Sequence, residues 1–162
     1  MSLDSILKAY HNIICLRNLL KCKYEKMINK PYIKRVEKPW GYELHFTPDN
    51  LPYMGKILHI NAEKRISLQV HDKKIESWYK IKGKVIMILG DEDGNLFEQE
   101  MEDGVGYTTK IGQKHRLFAS RDSDILEVST PEIGTTYRLE DDYARTDETE
   151  EVRKNPNRGW QP

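Results

Sequence analysis

The sequence has 162 residues, in which 26 Lys plus Arg balance 26 Asp plus Glu, so its formal net charge is zero. A chain of this length has room for one ordinary domain, and its balanced charge argues against general nucleic-acid binding, which depends on excess basic side chains. No stretch approaches the roughly 20 apolar residues of a membrane-spanning helix. The two cysteines, Cys15 and Cys22, are too few to staple a fold, so we expect a cytoplasmic protein.

Residues 1–30 predict one amphipathic helix, because apolar side chains recur from Leu3 to Met27 at helical spacing with Lys and Arg between them. Pro31 cannot continue a helical pattern. We expect this helix to be an accessory or oligomerisation element. We also expect a homodimer, built through the helix or through the first strand that follows it.

Residues 31–146 predict an all-β domain. At residues 40–46 (WGYELHF) apolar and polar side chains alternate with the period of two that is typical of a half-buried strand. About ten short runs rich in branched and aromatic residues follow, separated by turn residues such as the hairpin signal DEDG at 91–94. With no helical stretch between them, they indicate a closed or sandwiched antiparallel fold. Residues 147–162 are predicted to form a charged C-terminal tail.

Four polar side chains are candidates for a metal site. Gln69 and His71 are two residues apart on a predicted strand and therefore project from the same face. Glu76 begins the next strand, and His115 follows a glycine turn much later in the chain. Two imidazoles, a carboxylate and an amide oxygen suit Zn²⁺, Fe²⁺, Mn²⁺ or Ni²⁺. The alternative is that they are unrelated polar residues on solvated strand faces.

The spacing of these residues resembles the two motifs of the cupin superfamily. The first reads Gln69-x-His71-x4-Glu76-x6-Gly83, and the second reads Gly104-x5-Lys110-x-Gly112-x2-His115. The words KPWGYE (38–43), RISLQVH (65–71), ESW (76–78) and RLEDDYAR (138–145) are similar to the cupin domain of type II mannose-6-phosphate isomerases. That domain also closes the bifunctional mannose-1-phosphate guanylyltransferase/isomerases. The resemblance covers about residues 36–145.

The resemblance implies a single cupin barrel, a double-stranded β-helix or jelly roll, and the helix expected from the spacing of residues 1–30 precedes it. It also implies a divalent transition metal held by Gln69, His71, Glu76 and His115. We expect Zn²⁺ first, with Mn, Fe, Co or Ni as alternatives.

The chain departs from the family pattern around the metal set. Glu63 and Ala144 stand where the family has glycine, and Lys110 stands where the second motif has proline. The family's HHHR reads HDKK at residues 71–74, and its EHW has Ser77 in the middle. The metal set is retained while its surroundings differ.

Further site residues follow from strand parity and from the resemblance. Lys80 shares a strand face with Glu76, and we expect it to act inside the barrel as a proton carrier or anion ligand. The alternative is that a local bulge turns Lys80 outward. Arg138 and Arg145 match family arginines, and such guanidinium forks hold a substrate phosphate, or alternatively pair with Glu140, Asp141 or Asp142. The expected substrate-binding set is Trp40, Trp78, Arg65 and Arg116.

The resemblance implies a metal-dependent aldose–ketose isomerase that acts on a sugar or sugar phosphate, with no nucleic-acid or membrane partner. Two alternatives stay open. One is a nucleotide-sugar epimerase that uses His71 with Tyr79 or Tyr107, and the other is a non-catalytic sugar-binding cupin. Metal content separates the isomerase from the epimerase, because the Gln-x-His-x4-Glu set has no role in epimerase chemistry.

Overall fold

The computed structural model describes residues 31–161. The helix predicted for residues 1–30 lies outside the described residues. Within residues 31–161, no helix has the length and apolar character needed to cross a membrane.

The described chain is built mainly from short strands, as predicted. In chain order these are β1 (Lys34–Lys38), β2 (Gly41–His45), β3 (Met54–Ile60), β4 (Lys64–Arg65), β5 (Leu68–His71), β6 (Glu76–Lys82), β7 (Val85–Gly90), β8 (Leu96–Glu100), β9 (Gly106–Thr109), β10 (His115–Ala119), β11 (Ser123–Ser129) and β12 (Thr136–Glu140). One sheet has the order β1-β2-β3-β11-β6-β9, and the other has the order β12-β5-β10-β7-β8, with β4 also paired to β10. All pairings are antiparallel, so the prediction of an antiparallel β fold is confirmed.

The apolar core lies in one part of the interior. Alternate residues of the strands point inward, and their fully buried side chains include Ile60, Trp78, Met87, Leu117 and Ile125. Each large apolar side chain that is removed from water contributes about 1.5–3 kcal/mol. This cluster therefore holds the two sheets together and leaves another part of the interior to polar side chains.

The strand predicted at residues 40–46 is present, but its buried face is the polar one. In β2 the side chains of Glu43 and His45 are buried, whereas Tyr42 and Leu44 are half-buried on the other face. Burial of a carboxylate requires compensating charge, and cations from other segments surround Glu43. Gly41 closes the β1–β2 hairpin with φ 146°, where a Cβ would lie 2.0 Å from the His59 carbonyl oxygen.

The segment after β12 folds back onto the sheets. A short helix (Glu150–Lys154) and a 3₁₀ turn (Pro156–Gly159) follow Thr149, whose side chain accepts a hydrogen bond from the Val152 amide. Glu148 forms an isolated antiparallel bridge with Thr136, and the Asn157 side chain accepts from the Glu37 amide at 3.0 Å. The predicted charged tail thus carries ordered structure that positions several charges in the interior.

Candidate metal centre

Four side chains from three strands converge in the interior. Gln69 and His71 lie on β5, Glu76 is the first residue of β6, and His115 is the first residue of β10. The β5–β10 pairing sets His115 opposite Gln69 in register. The relative exposures of His71, Glu76 and His115 are 4%, 2% and 0%. The fold therefore brings these four residues to one place.

The donor atoms are spaced for a metal ion. His115 Nε2 lies 3.1 Å from Glu76 Oε1, and His71 Nε2 lies 3.4 Å from Glu76 Oε2. The Gln69 amide lies 3.2 Å from His115 Nε2 and 3.5 Å from His71 Nε2. Ligands at about 2.1 Å from an ion are roughly 3.0 Å apart at right angles and roughly 3.4 Å apart in a tetrahedron. The donor set fits a divalent transition metal.

Hydrogen bonds on the far side of each imidazole orient the two histidines. His115 Nδ1 donates to the Gln113 carbonyl oxygen at 2.9 Å, which leaves the lone pair on Nε2. His71 Nδ1 lies 3.0 Å from the Thr136 hydroxyl oxygen. Burial lowers the pKa of His71, which favours the neutral imidazole that binds metal. Ser67 Oγ donates to Gln69 Oε1 at 2.8 Å, and Gln69 Nε2 faces the imidazoles. Because a hydroxyl group can also accept, a flip of the amide would keep the contact with Ser67 and present the oxygen to the ion.

Glu76 is held as a carboxylate. Burial by itself would raise its pKa, but Lys74 and the two imidazoles hold the pKa well below its usual value. Lys74 Nζ lies 2.5 Å from Glu76 Oε2 and 2.6 Å from Glu127 Oε1. Lys74 thus links the metal centre to a second buried carboxylate.

The metal centre opens on a cavity of about 50 Å³ whose walls are highly charged. Trp40 and Trp78 supply apolar wall, and Trp78 packs edge-on against His115 with ring centroids 5.4 Å apart. Seven cationic side chains face five carboxylates, so the cavity carries an excess of positive charge when His71 is neutral. The cations are Lys38, Lys56, Lys74, Arg138, Arg145, Arg153 and Arg158, and the carboxylates are Glu43, Glu76, Glu127, Glu132 and Glu148.

A second cluster has donor atoms close enough for a metal but lacks the charge for one. One donor atom each from Glu43, His45 and Glu132 lies within 4.8 Å of the others. Lys38 and Lys56 already lie 3.3 and 3.5 Å from the Glu43 carboxylate. A divalent ion would meet these ammonium groups, so we assign no metal to this cluster.

The structure separates the other site residues expected from the sequence into two groups. Trp40, Trp78, Arg138 and Arg145 line the cavity. Arg138 contacts Glu148, and Arg145 Nη2 lies 2.5 Å from Asp141 Oδ1. The guanidinium groups therefore face the cavity and form ion pairs as well.

Lys80, Arg65 and Arg116 do not line the cavity. Lys80 shares the inward face of β6 as predicted, but its ammonium donates to the Met101 carbonyl oxygen and lies 3.1 Å from Asp103 Oδ1. Arg65 is exposed and pairs with Asp142 at 2.7 Å. Arg116 is buried and donates to the carbonyl oxygens of Ile66 and Glu140. We therefore assign none of the three a place beside the metal.

The cavity contains ionic residues that the sequence analysis did not identify. Glu127 lies on the same buried face of β11 as Ile125. A charged residue at an inward position of an otherwise apolar strand is a signal from which the sequence could have identified it. Lys74 lies within the HDKK departure next to the first motif. Arg153 and Arg158 gave no signal, because they reach the cavity only after the C-terminal segment folds back.

Comparison with known proteins shows the fold. No protein-family model matches the chain, and no curated protein matches it. A structure of Bacillus subtilis oxalate decarboxylase at pH 4.6 is 19% identical with a TM-score of 0.57. A structure from a study of the Mn(II) centres of that enzyme is 18% identical with a TM-score of 0.56. Each match covers 66% of this chain and 30% of the oxalate decarboxylase chain. Oxalate decarboxylase is a cupin, and the described chain has the cupin fold.

Proposed function

We propose that this chain is a metal-dependent cupin enzyme, and that it interconverts an aldose and a ketose of a sugar or sugar phosphate. The observation that carries the proposal is the convergence of His71, Glu76 and His115, two of which, His71 and Glu76, line a cavity with excess positive charge. Arg138 and Arg145 line the same cavity and offer forks for a phosphate group.

The backbone supports the resemblance to the mannose-6-phosphate isomerase family. Glu63 and Ala144 stand where that family has glycine, and they have φ values of 58° and 54°. Such left-handed conformations favour glycine and are uncommon for other residues. At two separate positions, the backbone therefore has the conformation that a glycine of the family would favour.

The metal and the protein side chains would have different tasks. A bound divalent ion would polarise the substrate carbonyl and stabilise negative charge on its oxygen. Zn²⁺ and Mn²⁺ are the leading candidates for the bound ion. Mn²⁺ is included because Mn(II) centres are named for the oxalate decarboxylase neighbour.

Glu127 is the side chain that we propose as the proton carrier, in place of Lys80. It lines the cavity, and burial raises its pKa despite the nearby Lys56 and Lys74. A carboxyl group with a raised pKa holds a proton more readily than an ordinary one, and it is therefore suited to take and return a proton. Lys74 Nζ, 2.6 Å away, would hold the carboxylate form in place.

Elemental analysis of the purified protein and an isomerase assay test this proposal together. Hexose and pentose phosphates are incubated with protein loaded with Zn²⁺, Mn²⁺, Co²⁺ or Ni²⁺. We expect bound metal and interconversion of at least one pair, and Glu127→Gln should keep its metal but lose most turnover. Bound metal without interconversion of any sugar in the panel would contradict the isomerase proposal.

A second candidate is a metal-dependent reaction of a small carboxylate. The observation that favours it is the cavity volume of about 50 Å³, which is small for a sugar phosphate, combined with excess cations. Oxalate and other short dicarboxylates therefore belong in the same assay, with release of carbon dioxide as the readout. Turnover of these acids without sugar interconversion would favour the second candidate.

A further inference from the structure

Four cationic side chains from separate segments surround the Glu148 carboxylate. Arg158 Nη1 and Arg153 Nε lie 2.5 and 3.4 Å from Oε1, while Arg138 Nη2 and Lys38 Nζ lie 2.9 and 3.6 Å from Oε2. The side chain of Glu148 is 7% exposed. Such a group of guanidinium and ammonium donors around two oxygens is a built site for an oxyanion.

The four cations share three carboxylates. Lys38 also contacts Glu43, and Arg158 also pairs with Glu132. Within residues 31–161 the guanidinium groups of Arg138 and Arg153 form no ion pair except with Glu148, and their other contacts are hydrogen bonds to the backbone carbonyl oxygens of Thr146, Gly134 and Glu148. Arg138 Nε, on a side chain that is 7% exposed, has no hydrogen-bond acceptor within the same range. A buried donor without an acceptor is costly, so this position favours a further oxyanion atom.

The cluster adjoins the metal centre. In the β5–β12 pairing, Arg138 lies opposite Gln69 and Thr136 lies opposite His71. All four cations and Glu148 line the same cavity as His71 and Glu76. An anionic group in the cluster would therefore place the rest of a small molecule towards the metal.

The Glu148 side chain can leave without unfolding a strand. Its backbone is tied to Thr136 by two hydrogen bonds, of 3.0 and 2.9 Å, and these do not involve the side chain, so they can persist when the carboxylate moves. The helix and the 3₁₀ turn that carry Arg153 and Arg158 contribute no buried apolar residue. The contacts that hold this end of the cavity are thus mainly ionic.

We propose that Lys38, Arg138, Arg153 and Arg158 form an oxyanion subsite that Glu148 fills in this structure. A phosphate or carboxylate group of the substrate takes the subsite when the Glu148 side chain moves out. The link to a substrate rests on the proposed function, whereas binding of a free oxyanion does not.

The test uses the intact chain without metal, in the presence of a chelator, so that metal-dependent turnover plays no part. Thermal unfolding of Glu148→Ala is measured against sodium phosphate and, separately, sodium acetate, with sodium chloride at matched ionic strength as the reference. We expect a lower unfolding midpoint than for wild type. We also expect a saturable rise of about 3–6 °C at tenfold the dissociation constant of the oxyanion. The relative size of the two responses distinguishes a phosphate site from a carboxylate site.

Two variants sharpen the result. Glu151→Ala removes an exposed carboxylate that pairs with Lys154. Its unfolding midpoint should change with phosphate concentration in the same way as the midpoint of wild type. Adding Arg138→Met to Glu148→Ala should abolish the phosphate response. If Glu148→Ala does not fold, phosphate binding to Glu148→Gln is measured by calorimetry, with binding expected. Absence of a saturable oxyanion effect beyond chloride would overturn the subsite and leave the metal-dependent function standing.

Discussion

Single residues of the metal centre contribute unequally, because their donor atoms differ. An imidazole nitrogen is a stronger donor for a transition metal than a neutral amide oxygen. Loss of a hydrogen-bond partner behind a ligand already weakens metal binding about 10–100-fold, so we expect His71→Ala and His115→Ala to weaken it by more than that, and Gln69→Ala by less than either. Titration of the chelator-stripped proteins with metal measures both effects, and activity should follow metal retention.

The control for these variants is another histidine. His59 lies outside the cavity, with Nδ1 2.6 Å from Asp124 Oδ1, and His59→Ala should bind metal as wild type does. Wild-type affinity in His71→Ala and His115→Ala would refute the assigned centre.

Lys80 is expected to matter for stability and not for turnover. Its ammonium donates to the Met101 carbonyl oxygen, and its partner Asp103 has a side chain that is 93% exposed. Lys80→Met should lower the free energy of unfolding by about 1–2 kcal/mol, since a buried carbonyl loses its donor. We expect kcat within about twofold of wild type, in contrast to Glu127→Gln. A large loss of kcat in Lys80→Met with normal metal content would contradict this expectation and show that Lys80 takes part in catalysis.

Two backbone positions are expected to gain stability from glycine. Glu63 and Ala144 have positive φ values, and a non-glycine residue in this region costs about 1–2 kcal/mol. Glu63→Gly and Ala144→Gly should each raise the free energy of unfolding by about 0.5–1 kcal/mol, after the greater flexibility of the unfolded chain is included. Urea denaturation measures the change. Ala62→Gly, at a neighbouring position without positive φ, is the matched control and should show no gain.

At the scale of elements, the C-terminal segment is held to the strands by charge. Arg158, 8% exposed, pairs with Glu132 and Glu148 and lies 3.8 Å from Glu43. Arg158→Ala would leave these carboxylates buried with fewer partners, which costs about 3–5 kcal/mol. Lys154→Ala, in an exposed pair, should cost less than about 0.5 kcal/mol. Equal urea midpoints for the two variants would show that the segment contributes nothing through Arg158.

At the scale of the whole molecule, the charged interior makes stability depend on pH. Burial by itself would raise the pKa values of Glu43, Glu132 and Glu148, but Arg158 and the neighbouring lysines hold all three below the usual value of 4.5. The stabilisation is fully present above pH about 4.5 and is lost as the pH falls towards the lower folded-state pKa values. We expect the free energy of unfolding to fall steeply between pH 5 and 3, and less steeply in Glu148→Gln. An unchanged value from pH 7 to pH 3 would contradict this account.

Part of the candidate site was accessible from the sequence because its signals are local. Gln69 and His71 share a face through strand parity, and Glu76 follows after one short turn. His115 required a long-range pairing, which the resemblance supplied and the β5–β10 register then placed. Lys80 shows what strand parity cannot predict. Its side chain lies on the inward face of the strand, as parity indicates, but its ammonium group donates to the Met101 carbonyl oxygen and does not line the cavity.

The sequence by itself determined the antiparallel β class and the shared strand face of Gln69 and His71, because alternation is a property of neighbouring residues. Only the tertiary structure decided that β2 buries Glu43 and His45 and that Arg153 and Arg158 enter the cavity. The reason is electrostatic. Burial of a carboxylate is tolerable only when cations from distant segments meet it, and no local pattern records where the returning chain will place those cations.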